Sequence, residues 1–496
     1  LLDCDGDFII VIIAKNTGDL VLFNDAIGRL PLYYQIRENA IVMSREPKFI
    51  ILSLDNRQID EIGLAEYLIF GHNLSKRTFS KNIKRFPPAS LARFSISQKK
   101  CEVKQVYEWN CHPDYPEEKP FLECSRDFAA EFLTGIENRL NANHDLKPVL
   151  ALSGGLDSRA VMFGILKIGG KFSAYTTLTG SKYNKIDAEV SSQLTELTGI
   201  DWKQFRLGPA KIEDYLQLAF DQESGSSVFL AFASAGYKHI HKNFGDNIRF
   251  FTGDGGNQVM YSLKPPLRFK SVPELTEYIT NVSSIFDLEE ICRILGLNKS
   301  SLEEKIITEI EEFPENDLRD KYAHFKVFSR GVRFVLEGED RSRFHFWTSA
   351  PFWNVRLLKQ SLMLPDRYKA NFRMYIKLFE YIDKRALEIK YSNIRLPLTS
   401  PLTGFYMHLK SIAKSQKLLF QLGRRIILRE QFSGYSSEPL NKYLRMIANE
   451  SNEVGRHIDL KALAKAEANG FTKMQYYLLA TVVLRIALIE NNFEHY

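Results

Sequence analysis

The chain has 496 residues, too many for a single hydrophobic core, so two or three domains are expected. An apolar share of 45% beside 25% charged residues is that of an ordinary globular protein and excludes disordered, collagen-like and membrane-embedded classes. With 66 basic and 60 acidic side chains the net charge is only +6, a mixed surface that gives no indication of a nucleic-acid partner.

The first strand-sized run is "FIIVIIA" (8–14), far short of the roughly 20 residues of a membrane span. Three more β-branched or aromatic runs come after it, "DLVLFND" (19–25), "PLYYQI" (31–36) and "AIVMS" (40–44). Turn-forming residues separate them, as in an antiparallel sheet. The chain opens on Leu1 and enters this pattern at once, so a fragment lacking its native N-terminus is expected, and no signal peptide is visible. The stretch "NCHPDYPEEKP" (110–120) concentrates prolines and predicts a domain linker.

Beyond it the period changes. In "RDFAAEFLTGIENRLN" (126–141), Phe128, Phe132, Ile136 and Leu140 recur every fourth position on one helical face. "PVLAL" (148–152) is a continuous apolar run suited to a strand buried on both sides. Helix and strand then alternate: a helix from about 158, strand 172–178, helix 185–197, strand 202–207, helix 211–220 and strand 247–253. That alternation predicts a doubly wound parallel sheet. From about 285 to the end the pattern is largely helical, and "YLLATVVLRIALI" (477–489), interrupted by Arg485, is expected to be a buried helix rather than a membrane span. The five cysteines, Cys4, Cys101, Cys111, Cys124 and Cys292, lie far apart with no CxxC pair. This argues against a disulfide framework or a zinc site and fits a cytoplasmic location; Cys4 is expected to be buried and inert.

The residues with the clearest chemistry are 152–158, "LSGGLDS", between the strand at 148–152 and the next helix. Ligands of parallel sheets sit beyond the carboxyl ends of the strands. There Gly154 and Gly155 let the backbone turn and bring its N–H groups to an anion, at the positive end of a helix. Ser153 and Ser158 can donate to phosphate oxygens; Asp157 repels them unless Mg²⁺ intervenes. Neither GxxxxGK[ST] nor GxGxxG is present, so the two commonest phosphate loops are excluded.

"SGGLDS" resembles the pyrophosphate loop of the ATP pyrophosphatase superfamily. Over 6–402 the chain resembles the asparagine synthetase family, with its β-lactam synthetase and peptide-cyclising relatives. "FFTGDGGNQVMY" (250–261) is similar to that family's SGEGADE signature, "SAPFWNVRLLKQSLMLPDRYK" (349–369) to its RxPFLDxxLVxxxxxLPxxxK, and 187–200 to its acidic-headed helix. "GDFIIVIIAKNTGDLVLFNDAIGRLPLYY" (6–34) and "MSREPKFI" (43–50) resemble the latter half of a class II glutamine amidotransferase domain. The resemblance implies an α/β chain in three parts: a partial antiparallel αββα (Ntn-type) domain at 1–112, a doubly wound ATP pyrophosphatase domain at 121–402, and a helical extension at 403–496.

By the same resemblance the activity is that of an ATP-dependent ligase of asparagine synthase type. A carboxylate is adenylated, pyrophosphate leaves, and ammonia from glutamine displaces AMP. Aspartate is the default acceptor; a peptide, β-lactam precursor or surface-glycan sugar acid is the alternative. A nucleotide-binding scaffold without turnover is the reading from a second class. ATP and pyrophosphate would lie on Ser153, Gly154, Gly155, Asp157, Ser158, Thr252 and Gly253, with Leu152 and Thr177 flanking adenine. Asp157 and Asp254 would hold Mg²⁺, and Lys390 and Arg395 are the nearest counterparts of the family's late lysine. A homodimer is left open. The chain departs from the family at Asn257 and Gln258 (for Asp–Glu), Trp347 (for Glu), Ser349 (for Arg) and Asn354 (for Asp). It also lacks the glutaminase's N-terminal cysteine, so the chain as it stands is not expected to hydrolyse glutamine.

Overall fold

The computed structural model describes residues 2–490 except 39, 96, 112–118, 180–181, 209, 222–230, 266, 408–451 and 469. Two antiparallel sheets take up the first hundred residues. One runs in the order β1 (Ile9–Ile13), β2 (Leu20–Asn24), β6 (Ser90–Ser95), β7 (Lys100–Gln105). The other runs β4 (Ala40–Ser44), β3 (Tyr33–Arg37), β5 (Lys84–Arg85). Leu22, Leu32, Tyr34, Phe86 and Ala92 join residues of both sheets in one core, each large side chain contributing roughly 1.5–3 kcal/mol by burial. The turn after β2 is fixed by Asp25, whose carboxylate accepts the backbone N–H groups of Ile27, Gly28 and Arg29 at 3.0 Å each. Arg29, fully buried, then reaches Asp5 and Asp7. Asp5 and Asp7 also pair with Arg139 and Arg343 (2.6 Å each), a buried ionic cluster that fastens the antiparallel part to the helices at 121–141 and 336–342.

Five parallel strands form the next layer: β8 (Lys147–Ala151), β9 (Ser173–Leu178), β10 (Trp202–Arg206), β11 (Ile248–Phe251) and β12 (Trp347–Ser349). Their order is β10-β9-β8-β11-β12, all parallel. The helices Phe121–Asn141, Leu156–Lys167 and Arg373–Ile382 cover one face through Phe132, Ile136, Ala160, Phe163 and Phe379. The helix Ala231–Phe244 covers the other, with Tyr237 and Ile240 against Val149, Tyr175 and Phe250. The fold is α/β, with antiparallel sheets in the N-terminal part and a doubly wound parallel sheet behind them.

β12 falls where the sequence pattern predicts helix; it is a three-residue strand paired with β11 (Arg249↔Trp347 to Phe251↔Ser349). The helix expected at 126–141 begins at Phe121, because that ring packs on Tyr368 (4.9 Å) and under the guanidinium of Arg373 (4.5 Å). Cys4 is exposed rather than buried, since it precedes β1 instead of lying within it. Residues 112–118 of the expected linker and 408–451 of the expected extension lie outside the described residues. The helix Lys473–Glu490 is buried as expected, with Arg485 over the Phe79 ring at 5.4 Å. Among the described residues no helix is long and apolar enough to cross a membrane.

Candidate functional site

The strand order reverses between β8 and β11: the chain steps outward through β9 and β10, then returns to β11 and β12 on the opposite side. Open parallel sheets bind ligands at the carboxyl ends of the two strands flanking such a reversal. Those ends carry the loops 152–155 and 252–255, the two stretches with the clearest chemistry in the sequence. They face a cavity of about 320 Å³, within the range of small-molecule sites. Ser153, Asp157, Ser158, Thr177, Thr252, Gly253 and Asp254 all line it.

The two loops are pressed together. A Cβ on Gly253 would lie 2.5 Å from the Ser158 nitrogen, and one on Gly256 would lie 2.4 Å from Asp157 Cγ. Gly154 is required by crowding rather than by an unusual φ: a Cβ there would stand 2.7 Å from Ser392 Cβ and 2.9 Å from Asp187 Oδ1. The loop N–H groups expected to face an anion are engaged within the protein. Gly154 N–H donates to Asp187 Oδ1 (3.1 Å), Gly155 N–H to Ser153 Oγ (3.2 Å) and Ser153 N–H to Ser158 Oγ (3.1 Å). Asp187 belongs to the helix Lys182–Thr198, which starts ahead of the expected 185. What faces the cavity from this loop is the pair of hydroxyls, 3.1 Å apart, and the Asp157 carboxyl.

Leu152 packs in the core instead of the cavity wall, because its N–H bonds to the Tyr175 carbonyl as a continuation of β8. Lys390 and Arg395 are not among the cavity residues. Lys390 Nζ lies 3.5 Å from Glu189, and Arg395 is exposed in a turn with φ of 58°. The cation on the cavity wall is Arg341. Asn257 is exposed and Gln258 is buried outside the cavity.

Carboxylates gather here in excess. Tyr375 donates its hydroxyl to Asp157 Oδ1, and Thr252 donates to Glu339, which shares a hydrogen bond with Asp254. Burial, with Asp254 nearby, pushes Asp157 up to about 7 despite the tyrosine. Burial likewise raises Asp254 and lifts Glu339 well above the usual carboxylate range. A low-dielectric cluster of acids that resist ionisation has the donor set of a hard divalent cation, and Asp157 and Asp254 fit Mg²⁺ in this respect. Tyr175, Tyr237 and Phe250 add an aromatic part to the same lining; Tyr175 stacks on Phe250 at 5.8 Å and Tyr237 Oη lies 2.7 Å from Ser342 Oγ. Glu339 and Arg341 escape a sequence-based search because "GEDRS" (338–342) has the look of a solvated charge run, whereas both are buried.

Residues 1–108 match the sequence model of the glutamine amidotransferase domain family. No curated protein sequence matches the chain. Among solved structures, the U34-tRNA thiolase NcsA from Methanococcus maripaludis with its 4Fe-4S cluster is similar at 11% identity, over 48% of this chain and 90% of that one. With a TM-score of 0.23, that likeness assigns neither fold nor chemistry to this chain.

Proposed function

We propose that the chain is an ATP-dependent, amide-forming ligase of the amidotransferase type. The observation that carries this reading is the convergence of the 152–158 and 252–254 loops on one cavity at the strand-order reversal, with hydroxyls, carboxyls and one arginine on its wall. The match of residues 1–108 to a glutamine amidotransferase domain supports ammonia from glutamine as the nitrogen donor.

In this reading the triphosphate lies along Ser153, Ser158, Thr252 and Gly253, at the N-terminus of the helix Leu156–Lys167, whose dipole favours negative charge. The base lies against Tyr175, Tyr237 and Phe250, with Thr177 beside it. Asp157 and Asp254 would hold Mg²⁺, which would supply charge neutralisation for the leaving pyrophosphate. The substrate carboxylate attacks the α-phosphorus, the bond to the β-phosphate oxygen breaks, and ammonia then attacks the acyl carbon and expels AMP. Arg341 is placed to stabilise the charge of the first step, the role expected of Lys390 or Arg395. The amidotransferase-like part at 1–112, the ATP-binding part at 121–402 and the extension at 403–496 are the domains this reading assigns. The acceptor is aspartate or another carboxylate of a peptide or sugar acid.

The test supplies ammonium salt in place of glutamine, Mg·ATP and a panel of carboxylic acids, and measures pyrophosphate and AMP together. Formation of both with one acid, abolished by Asp157→Ala in a folded protein, is expected. Nucleotide binding with no pyrophosphate from any acid would favour a scaffold, and absence of ATP binding would remove the site.

A further inference from the structure

Away from that cavity the fold gathers a second set of donor side chains. Cys111, Glu315 and His324 each present a ligand atom, and these atoms all lie within 4.8 Å of one another. Cys111 comes two residues after Trp109, whose indole N–H is anchored on the Ala26 carbonyl at 2.6 Å. Its own backbone N–H donates to Glu315 Oε1 at 2.8 Å. The same oxygen lies 2.9 Å from His324 Nδ1, at the end of the helix Leu318–His324. Phe313 stacks on the imidazole at 4.4 Å and Phe328 packs at 4.9 Å, which fixes the ring.

The Glu315 side chain is 0% exposed, and among the described residues its Oε2 has no hydrogen-bond partner. A buried ionisable oxygen left so is destabilising unless something neutralises it. Lys321, a nearby cation, acts on Glu315 through its charge but donates its hydrogen bonds to the carbonyls of Glu311 (3.0 Å) and Phe313. A buried carboxylate with one oxygen unpartnered among the described residues thus sits against an oriented imidazole and a buried thiol that is hydrogen-bonded to it.

We propose that Cys111, Glu315 and His324 bind a divalent transition-metal ion, zinc by the chemistry of the ligands. Thiolate, imidazole and carboxylate together suit a borderline-soft tetrahedral ion better than Mg²⁺ or Ca²⁺. Ligands about 2.0–2.3 Å from such an ion stand about 3.3–3.8 Å apart, so closing this set needs only side-chain adjustment. His324 also lines a cavity of about 260 Å³ together with Pro87, Trp109 and Phe328, so the imidazole side of the set borders open space. Binding exchanges the thiol proton for the ion. The ion would tie the segment leaving the antiparallel sheets to the loop at Glu315 and the helix Leu318–His324 that follows it. Widely spaced cysteines therefore do not exclude zinc here: the fold supplies the partners, Glu315 standing 204 positions from Cys111.

The test uses the full chain, purified without chelator. Metal analysis is expected to return about one zinc per chain, and Co²⁺ titrated into the metal-free protein to give a thiolate-to-cobalt charge-transfer band with tetrahedral visible absorption. Cys111→Ser should remove the charge-transfer band while Cys292→Ser leaves it intact. Glu315→Gln keeps the volume and guards against a folding defect in the serine variant; cobalt affinity there should fall at least about 10–100-fold, the range seen for loss of even an outer-shell partner. A folded protein that holds no metal and gives no cobalt band, a band that survives Cys111→Ser, or unchanged affinity in Glu315→Gln would each overturn the assignment.

Discussion

A single methyl group at Gly253 tests whether the two loops act as one site. An added Cβ would stand 2.5 Å from the Ser158 nitrogen, 2.8 Å from the Asp157 carbonyl carbon and 2.9 Å from Asp157 Cβ. Two of these are backbone atoms in the first turn of a helix, so no change of rotamer relieves the clash. Ordinary contact begins near 3.4 Å, so Gly253→Ala must drive the loops about 0.9 Å apart, the difference between that limit and 2.5 Å. Overpacking of this size costs roughly 1–3 kcal/mol of stability. A misplacement near 1 Å costs on the order of 100-fold in turnover. Calorimetric titration with Mg·ATP, pyrophosphate release and thermal denaturation should show weak binding and a large loss of turnover beside a drop of only a few degrees in Tm. Gly208→Ala, whose Cβ would meet nothing within 4 Å among the described residues, is the control. If Gly253→Ala binds ATP and releases pyrophosphate within about twofold of the parent, the loops do not form one site and the reasoning fails.

The same geometry sets three further outcomes. Asp157, at about 7, and Asp254 and Glu339, both raised by burial, bind protons more tightly folded than unfolded. Their contribution to stability is therefore present at low pH and lost as pH rises, for Asp157 between about 4 and about 7. Mg²⁺ should raise Tm more at about pH 8 than at about pH 5.5; equal shifts would show that it binds elsewhere. Arg159, 0% exposed, donates to the carbonyls of Ala386, Ile389 and Lys390, so Arg159→Met should cost about 3 kcal/mol or more in urea denaturation, and a loss under about 1 kcal/mol would show those carbonyls satisfied otherwise. Asn354→Asp keeps the helix cap but sets a carboxylate against Glu131, so it should cost about 1–3 kcal/mol, recovered largely by adding Glu131→Gln; a double-mutant cycle without coupling would refute the pairing.

The elements that sequence reasoning locates are those with long, unambiguous periods. The helix at 126–141 has its apolar stripe, β8 carries a continuous apolar run, and β9 to β11 set aromatic or β-branched residues among polar ones between glycine or polar loops, so their alternation already implies the sheet. The helix Glu61–Phe70 carries no such mark: from Gly63 to Phe70 every residue is buried, so no polar face reveals its period. β12 has three residues, too few for alternation to register. At the site, the glycine-bearing loops are legible because crowding tolerates no other residue at 154 and 253. Tyr375 is not, since a buried tyrosine in an amphipathic helix reads as core, and only the tertiary structure aims its hydroxyl at Asp157.

The departures from the family motifs bear on whether the site still turns over, and each has a local physical explanation. Asn354 is buried, caps the helix Val355–Met363 by accepting the N–H groups of Arg356 and Leu357, and donates to Glu131, a bond no aspartate could make. Trp347 is half exposed on the edge strand β12, outside the cavity wall. Ser349 is joined to the site through its backbone, since its carbonyl accepts the Thr252 N–H at 3.0 Å, a bond available to any residue there. Asn257 is exposed, so an aspartate at that position in this fold would add charge to solvent and not to the cavity. The acidic character missing from 257–258 is supplied by Glu339, held against Asp254 and Thr252 from a different stretch of chain. Asp157 and Asp254 remain the carboxyls of the cavity wall, with Glu339 behind Asp254, so turnover at the proposed site depends on whether Arg341 can act in place of a lysine.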